Sequence, residues 1–411
     1  MLAFLLILIP FAAFLIAKLC FNHKFNFQEV VIGIIICAAS AIAVLEVSKN
    51  GKMADREIWN GKVTSKQPEK RNCPVPDYDG WTDEYSSFCS AHDDEERIVG
   101  YETVCDSYND SGSCTSSHEE PIYETYYRYY FRYEQRWYVN SNLVSWEEPR
   151  VGGRYKQGLK EPKSWTIVKI NDPVSVTRPY DNYVRAVPES LFNNKEVKNA
   201  HSASVPAYPT VHGRYKVNRV LSVGYKGNID KNKLNYELGK ALGRLNPAKQ
   251  VNVIVILTSI GDMSFRHAVE NKWLGGKKND AIIFISLDTN GDILWTDLMT
   301  FGKNKFNGIY TANLTGAISD MENITKDNQG ELVGTIENLT AKHYDRPAMK
   351  EYFYLVKHIQ PSTGALIFAF ILDILICVGL LWAFNKYDFD PIGNSYRHIK
   401  WKFNRRRRFR R

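Results

Sequence analysis

Asp262, Asp288 and Asp292 follow apolar runs, and Thr258 and Ser259 stand just ahead of the first of them. In open α/β sheets ligands gather at the carboxyl ends of parallel strands, and VNVIVILT (251–258) and AIIFISL (281–287) read as two such strands. Carboxylates and hydroxyls at one edge are hard oxygen donors suited to Ca²⁺ or Mg²⁺. The chemistry they would support is metal-assisted hydrolysis of a phosphomonoester. A plainer assignment makes Asp262 a helix cap and Asp288 and Asp292 turn residues, and it takes precedence. An aspartate capping the helix would repel an anion unless a cation intervened. The sequence has no H-E-x-x-H, G-x-S-x-G or P-loop motif, and His201, His212, His267, His343 and His358 are isolated.

To hold those aspartates the chain needs alternating helices and strands, and residues 213–360 supply the pattern. Asp230 is a candidate N-cap for a helix over about 231–245, where Leu234, Leu238, Ala241, Leu242 and Leu245 share one face before Pro247 stops it. VNVIVILT is apolar on both faces, as expected of a strand covered by helices on each side. Asp262 opens a second helix with Phe265, Ala268, Val269 and Trp273 inward, ended by Gly275-Gly276. Strand, crossover helix and strand give a right-handed βαβ unit with a parallel pair. Asn290-Gly291 predicts a type I′ hairpin, because both central positions of that turn need positive φ. It would join 281–287 to a strand over about 292–300. Asn307–Glu322 and Glu331–Arg346 are expected to be helical, and Glu351–Gln360 leads toward the last apolar segment.

Upstream, residues 193–212 read as a linker to a β-rich region over 76–192. Its clearest strand pattern is IYETYYRYYFRYEQRWYV (122–139), with mostly aromatic odd positions and charges at Glu124, Arg128, Arg132, Glu134 and Arg136. That length exceeds an ordinary strand, so a bend or bulge is expected. Other strands are expected at Trp165–Ile170, Val174–Thr177 and Tyr183–Val187, and residues 48–75, with neither period, as a stalk. Interleaved aromatic and basic residues can also stack single-stranded nucleic acid. The alternating charge signs and the compartment argue against it, so no nucleic-acid partner is expected.

The formal charge of +8 is concentrated in residues 385–411, which hold ten Lys or Arg against two Asp. Three segments, Met1–Phe21, Val30–Val47 and Ser362–Phe384, are apolar enough to cross a bilayer. Short basic flanks resist translocation. Lys18, Lys24 and the run Arg405, Arg406, Arg407 and Arg408 are therefore expected on the cytoplasmic side, which leaves residues 48–361 outside. Asp373 falls near the middle of the last span; it reads as a polar contact with another helix, Lys18 being a candidate partner, or as a tolerated protonated carboxyl. Cys73, Cys89, Cys105 and Cys114 all fall in the outside segment and read as disulfides. Four cysteines allow three pairings, of which Cys73–Cys89 with Cys105–Cys114 closes the shortest loops. Cys89-x-x-His92 and Cys114-x-x-x-His118 also have zinc-ligand spacing, but the oxidising side favours disulfides.

The order helix, buried strand, FRHAVENKWLGGKKNDAIIFISL and hairpin resembles the TPM domain of membrane-tethered bacterial envelope proteins and of a thylakoid-lumen protein, over about residues 215–345. Ala268, Trp273, Gly276, Lys277, Asn279 and Asp280 stand at the family's motif positions. Ala281 replaces an expected Gly, the Gly-Lys turn is about two residues short, and the family's early Asp motif is missing. The resemblance implies an α/β sandwich. It also implies either an assembly or quality-control role or a metal-binding acid phosphatase, and it alone adds Asp280 to the metal candidates. Asp280's plain role is a strand-initiating turn.

Together these readings predict an integral membrane protein of three transmembrane helices. The expected order is a two-helix hairpin (1–47), stalk (48–75), disulfide-braced β-rich domain (76–192), linker (193–212), TPM-like βαβ-plus-hairpin domain (213–360), last span (362–384) and cytoplasmic tail (385–411). It is expected in the inner (plasma) membrane of a bacterium or phage-infected cell, with an Arg-rich tail against anionic lipid. The expected function is an interaction, assembly or quality-control factor with another membrane or envelope protein as partner, or a homo-oligomer through the membrane helices. The alternative is a Ca²⁺- or Mg²⁺-dependent phosphatase on the same anchor; no cofactor beyond those ions is implied.

Overall fold

The computed structural model describes residues 2–20, 27–74, 80–89, 92–109, 111–148, 161–187, 201–301 and 307–386. The chain opens with helices α1 (Leu2–Cys20) and α2 (Phe27–Met53) and passes at once into a long strand, β1 (Ala54–Asn72). Next come β2 (His92–Tyr108), β3 (Cys114–Tyr129), β4 (Tyr133–Ser141), β5 (Ser145–Glu147), the single turn α3 (Lys163–Thr166), β6 (Pro173–Asp181) and the turn α4 (Tyr183–Ala186). The second half holds β7 (Val211–His212), β8 (Lys216–Val217), β9 (Val220–Val223), α5 (Lys231–Lys249), β10 (Asn252–Thr258), α6 (Ser264–Lys272), β11 (Asp280–Leu287) and β12 (Ile293–Thr300). Helices α7 (Gly308–Ser319), α8 (Gln329–His343) and α9 (Thr363–Lys386) complete it.

The expected βαβ unit is present. Strands β9, β10 and β11 run parallel and β12 returns antiparallel, in the order β12–β11–β10–β9. Alternation along the two central strands sorts their side chains onto two faces. Val253, Val255, Leu257, Ile283 and Ile285 join Leu238, Leu242, Leu314 and Ile336 in the core under α5, α7 and α8. Ile254, Ile256, Ile282 and Phe284 pack with Phe265, Val269 and Trp295 under α6. Asp230 caps α5 by accepting from the Asn232 and Lys233 N–H groups. Pro247 lies inside the last turn of α5, and the stop comes at Gln250, in the left-handed region.

Several expectations change. Residues 48–75 form no stalk: the end of α2 runs into β1, which pairs with β6 over Ala54–Lys62 and with β4 over Val63–Asn72. The sheet order is β5–β4–β1–β6. No period was visible because Asp55, Glu57 and Asn60, buried along β1, are polar. The aromatic stretch 122–139 breaks at 130–132 into β3 and β4. Val174–Thr177 lies in β6, whereas Trp165 and Thr166 end the turn α3 and Tyr183–Ala186 form the turn α4. The later part of the expected linker is no spacer, since Val205 and Tyr208 pack onto the α6 face. Residues 193–200 lie outside the described residues.

The hairpin after β11 is not type I′. Only Gly291 has a positive φ, at 99°. The Asp288 carboxylate accepts from the Asn290, Gly291 and Asp292 N–H groups, each at 2.8 Å, which favours a type I turn closed by a left-handed Gly.

Two helices among the described residues, Gln28–Met53 and Thr363–Phe384, are long and apolar enough to cross a membrane, against the three expected. The first expected span is helical, but the part with described side chains is the apolar stretch Pro10–Cys20. At 1.5 Å per residue that stretch covers roughly half of a ~30 Å hydrocarbon core. Helices α1, α2 and α9 pack together. Asp373 accepts from Ser40 Oγ of α2 at 3.0 Å, a polar contact with another helix, made through a hydroxyl on α2; Lys18 of α1 had been one candidate partner. The tail with Arg405, Arg406, Arg407 and Arg408 lies outside the described residues.

Helix α5 meets β1 and β6 at two glycines. A Cβ at Gly243 would stand 2.7 Å from the Gly61 carbonyl oxygen, and one at Gly239 2.9 Å from Pro173 Cβ. Backbone cannot yield as a side chain can. Gly243→Ala is therefore expected to cost about 1–3 kcal/mol, read as a lowered unfolding midpoint of the full chain in detergent, while Gly334→Ala, in open space on α8, leaves the midpoint unchanged or raises it.

Candidate functional site

The expected metal donors occupy opposite ends of the sheet. Asp262 is exposed ahead of α6, accepting from Ser264 N–H at 2.8 Å and facing His201 Nε2 at 3.1 Å. The Ser264 hydroxyl and backbone N–H, and then His201, hold its carboxyl down to about 2. Asp288 is occupied by its own turn, whose N–H groups lower its pKa. Asp292 bridges through its backbone to Asn323. Asp262 thus stands one residue ahead of the N-cap of α6, which is Met263, while Asp288 and Asp292 belong to a turn, and no three His, Cys, Asp or Glu among the described residues are grouped to hold a metal ion.

Asp280 stands apart, at the amino end of β11, 1% exposed. Tyr208 donates its hydroxyl to both carboxylate oxygens (3.0 and 2.9 Å), Asn252 Nδ2 donates to Oδ1 at 2.8 Å and Lys277 N–H to Oδ2 at 2.7 Å. Burial pushes the Asp280 carboxyl up to about 6 against the pull of these donors. The same burial, with Asp280 beside it, drives the Tyr208 hydroxyl well above its ordinary value.

From Asp280 the network continues inward. Asn252 turns its Oδ1 to Arg219 NH1 at 3.1 Å, and Arg219 NH2 donates to Asn60 Oδ1 (3.0 Å) and Ser175 Oγ (2.9 Å). Asn60 in turn donates to the Val251 carbonyl at 2.8 Å. The chain of bonds therefore links β11, β10, the start of β9, β1 and β6 at one edge of the α/β sheet. Beside it, Asp55 of β1 takes Lys277 Nζ, Arg185 NH1 (3.2 Å), Tyr180 OH (3.0 Å) and Asn182 Nδ2 (3.0 Å). Burial works to raise the Asp55 carboxyl, but Lys277 and Asn182 outweigh it and leave it below its ordinary value. Asn279 Nδ2 reaches the Ile58 carbonyl at 2.7 Å.

Lys277, Asn279 and Asp280, three of the positions that carry the TPM resemblance, thus fasten β1 and its neighbours to the α/β sheet. A cavity of about 270 Å³ opens beside them, lined by Asp55, Arg185, Tyr208, Lys272, Trp273 and Lys277 among others. Both oxygens of Asp280 are engaged, so the raised carboxyl is sealed into the joint instead of being offered to the cavity. Sequence reasoning missed Asp55, Tyr208, Arg219 and Asn252. The one local signal was a polar Asn at the head of an otherwise apolar strand.

A second candidate is a surface. Strands β2 and β3 form a two-stranded sheet, to which Thr82 adds a single antiparallel bridge at Tyr127, near its root. Residues 92–129 hold ten Asp or Glu against two Arg. Midway along, Ile98 faces Tyr123 and Tyr101 faces Pro121, and Ile98, Tyr101 and Tyr123 are 50%, 62% and 57% exposed. Disulfides fasten both ends of this arm: Cys73–Cys89 at its root and Cys105–Cys114 near its tip, the pairing that closes the shortest loops. The zinc spacing is thereby accounted for, since Cys89 and Cys114 are both bonded. His118 lies between Glu120 (3.0 Å) and Asp106 (2.6 Å), whose hydrogen bonds raise its pKa.

Compared with family models, curated proteins and solved structures, the chain matches none.

A free two-stranded ribbon is marginal in water. Closing the loop between Cys105 and Cys114, nine residues apart, stabilises it by roughly 2–3 kcal/mol in the chain-entropy account. The Cys105→Ser, Cys114→Ser double variant is expected to speed amide exchange at the arm tip by about a hundredfold. Exchange in β10 and β11 should stay as it was.

Proposed function

We propose that this chain is a membrane-anchored interaction or assembly factor of TPM type, its bulk on the extracytoplasmic side of an inner (plasma) membrane and its basic tail in the cytoplasm. The observation that carries this reading is the β2–β3 arm. It combines an acidic rim, an uncovered apolar middle and a disulfide at each end, and apolar surface left open on a ribbon is what a partner covers. Two further features support it. In each membrane-length helix only 17% of the most apolar window is buried inside the protein, so most of that apolar surface is open to a bilayer. Disulfides persist on the oxidising side of such a membrane, where the arm would meet its partner.

The test is site-specific photocrosslinking from Tyr123 in intact cells. A discrete adduct that disappears when Asp93, Asp94, Glu95 and Glu96 are changed to Lys is the expected result. Absence of any adduct, or one indifferent to the charge reversal, would sink the proposal. The purified full chain should also show no phosphomonoester turnover with Ca²⁺ or Mg²⁺; turnover abolished by Asp262→Asn or Asp288→Asn would replace this reading with a phosphatase.

A further inference from the structure

Arg219 is 2% exposed, yet every hydrogen-bond partner it has is neutral: Asn252 Oδ1, Asn60 Oδ1 and Ser175 Oγ. The Asp280 carboxylate lies beyond Asn252, joined to Arg219 only through that amide. A guanidinium stays charged and offers five N–H donors. Three are used here, and the Nε–H and one NH1 hydrogen have no partner among the described residues. Burying a cation without a contacting anion is costly; Asp280 acts on Arg219 only across Asn252, which leaves the guanidinium's remaining donors for an anion in direct contact.

Arg219 also lines a cavity of about 230 Å³ between β6, β8 and α5. Lys216 lines the same cavity and is exposed. The one acid there, Asp172, has its oxygens taken by Tyr236 OH (2.7 Å) and Lys169 N–H (2.8 Å). At roughly 30 Å³ per water, the space holds a ligand of several heavy atoms. We infer that this cavity binds a small oxyanion, a carboxylate or phosphoryl group, with Arg219 as its buried counter-charge and Lys216 as the cation at its opening. The site is separate from the acidic arm and does not rest on the function proposed for it.

The experiment is calorimetric titration of the full chain in detergent, at constant ionic strength, with inorganic phosphate and, separately, with acetate. Saturable binding of at least one is expected; phosphate alone points to a phosphoryl ligand and acetate alone to a carboxylate. Lys216→Ala, a surface change that leaves folding intact, should weaken binding about fivefold, a loss of about 1 kcal/mol. Amide exchange should slow at residues 214–219 and 232–239 on binding. Arg219→Gln, if it folds, should abolish the signal. No saturable binding of either anion, or an affinity unchanged by Lys216→Ala, overturns the inference.

Discussion

Asp55→Ala is expected to remove about 3–5 kcal/mol of stability, the usual cost of deleting one partner from a buried ion pair. The Asp55 side chain is 4% exposed and Lys277 19%, so the ammonium left behind could not hydrate fully. Asn182, fully buried, would lose an acceptor as well. Arg185 is 40% exposed and returns to water at little cost, so Arg185→Ala should shift stability by less than about 1 kcal/mol. The contrast between these variants, read by denaturant unfolding of the full chain in detergent, tests whether the joint depends on the Lys277 pair. Equal effects would show that burial is not what gives Asp55 its weight. Because its folded pKa is depressed, Asp55 stabilises at neutral pH, and that contribution fades as pH falls below about 4.

Where the chemistry of a stretch is local, it was readable. VNVIVILT and AIIFISL are apolar on both faces because helices cover both, and no other environment suits such runs in a folded domain. Asp230 signalled its cap two and three residues ahead of the N–H groups it serves. Cysteine spacing led to the observed pairs because short loops close most readily.

β1 could not be read in this way. Its buried positions include Asp55, Glu57 and Asn60, each bonded to groups more than a hundred residues away, among them Lys277, Arg346 and Val251. A hydropathy period sees only polarity there and reports a stalk. The hairpin failed for a smaller reason, since Asn290-Gly291 fits two turn types and the Asp288 carboxylate favours the one with a single positive φ. The joint residues Asn60, Ser175, Arg219, Asn252 and Asp280 come from five separate segments, so no spacing rule could assemble them. Even the TPM-like positions marked only one side of the joint.

Asp280 supplies the second large effect, in the opposite pH direction from Asp55. Its carboxyl stands at about 6 in the folded protein, against about 3.9 in an unfolded chain. Between those values the native state holds a proton that the unfolded state has released. The stabilisation is complete below about pH 4 and is lost as pH rises through 6, for a total of about 2–3 kcal/mol at 1.36 kcal/mol per unit. Asp280→Asn isolates this contribution, because an amide has no proton to release. The substitution also carries a cost of its own. Arg219 fixes the Asn252 amide with its oxygen inward and its NH₂ toward position 280, and the Lys277 N–H demands a second acceptor there. One amide oxygen cannot meet both demands, so a donor is left facing a donor at a cost of about 1–3 kcal/mol. At pH 7 that loss is offset by no longer burying a carboxylate, and the variant should nearly match the parent. At pH 4 the parent should be the more stable by about 2 kcal/mol. Unfolding free energies of both proteins measured from pH 4 to 7 decide the matter: parallel profiles would mean that Asp280 titrates like an ordinary surface carboxylate and that the joint does not seal it.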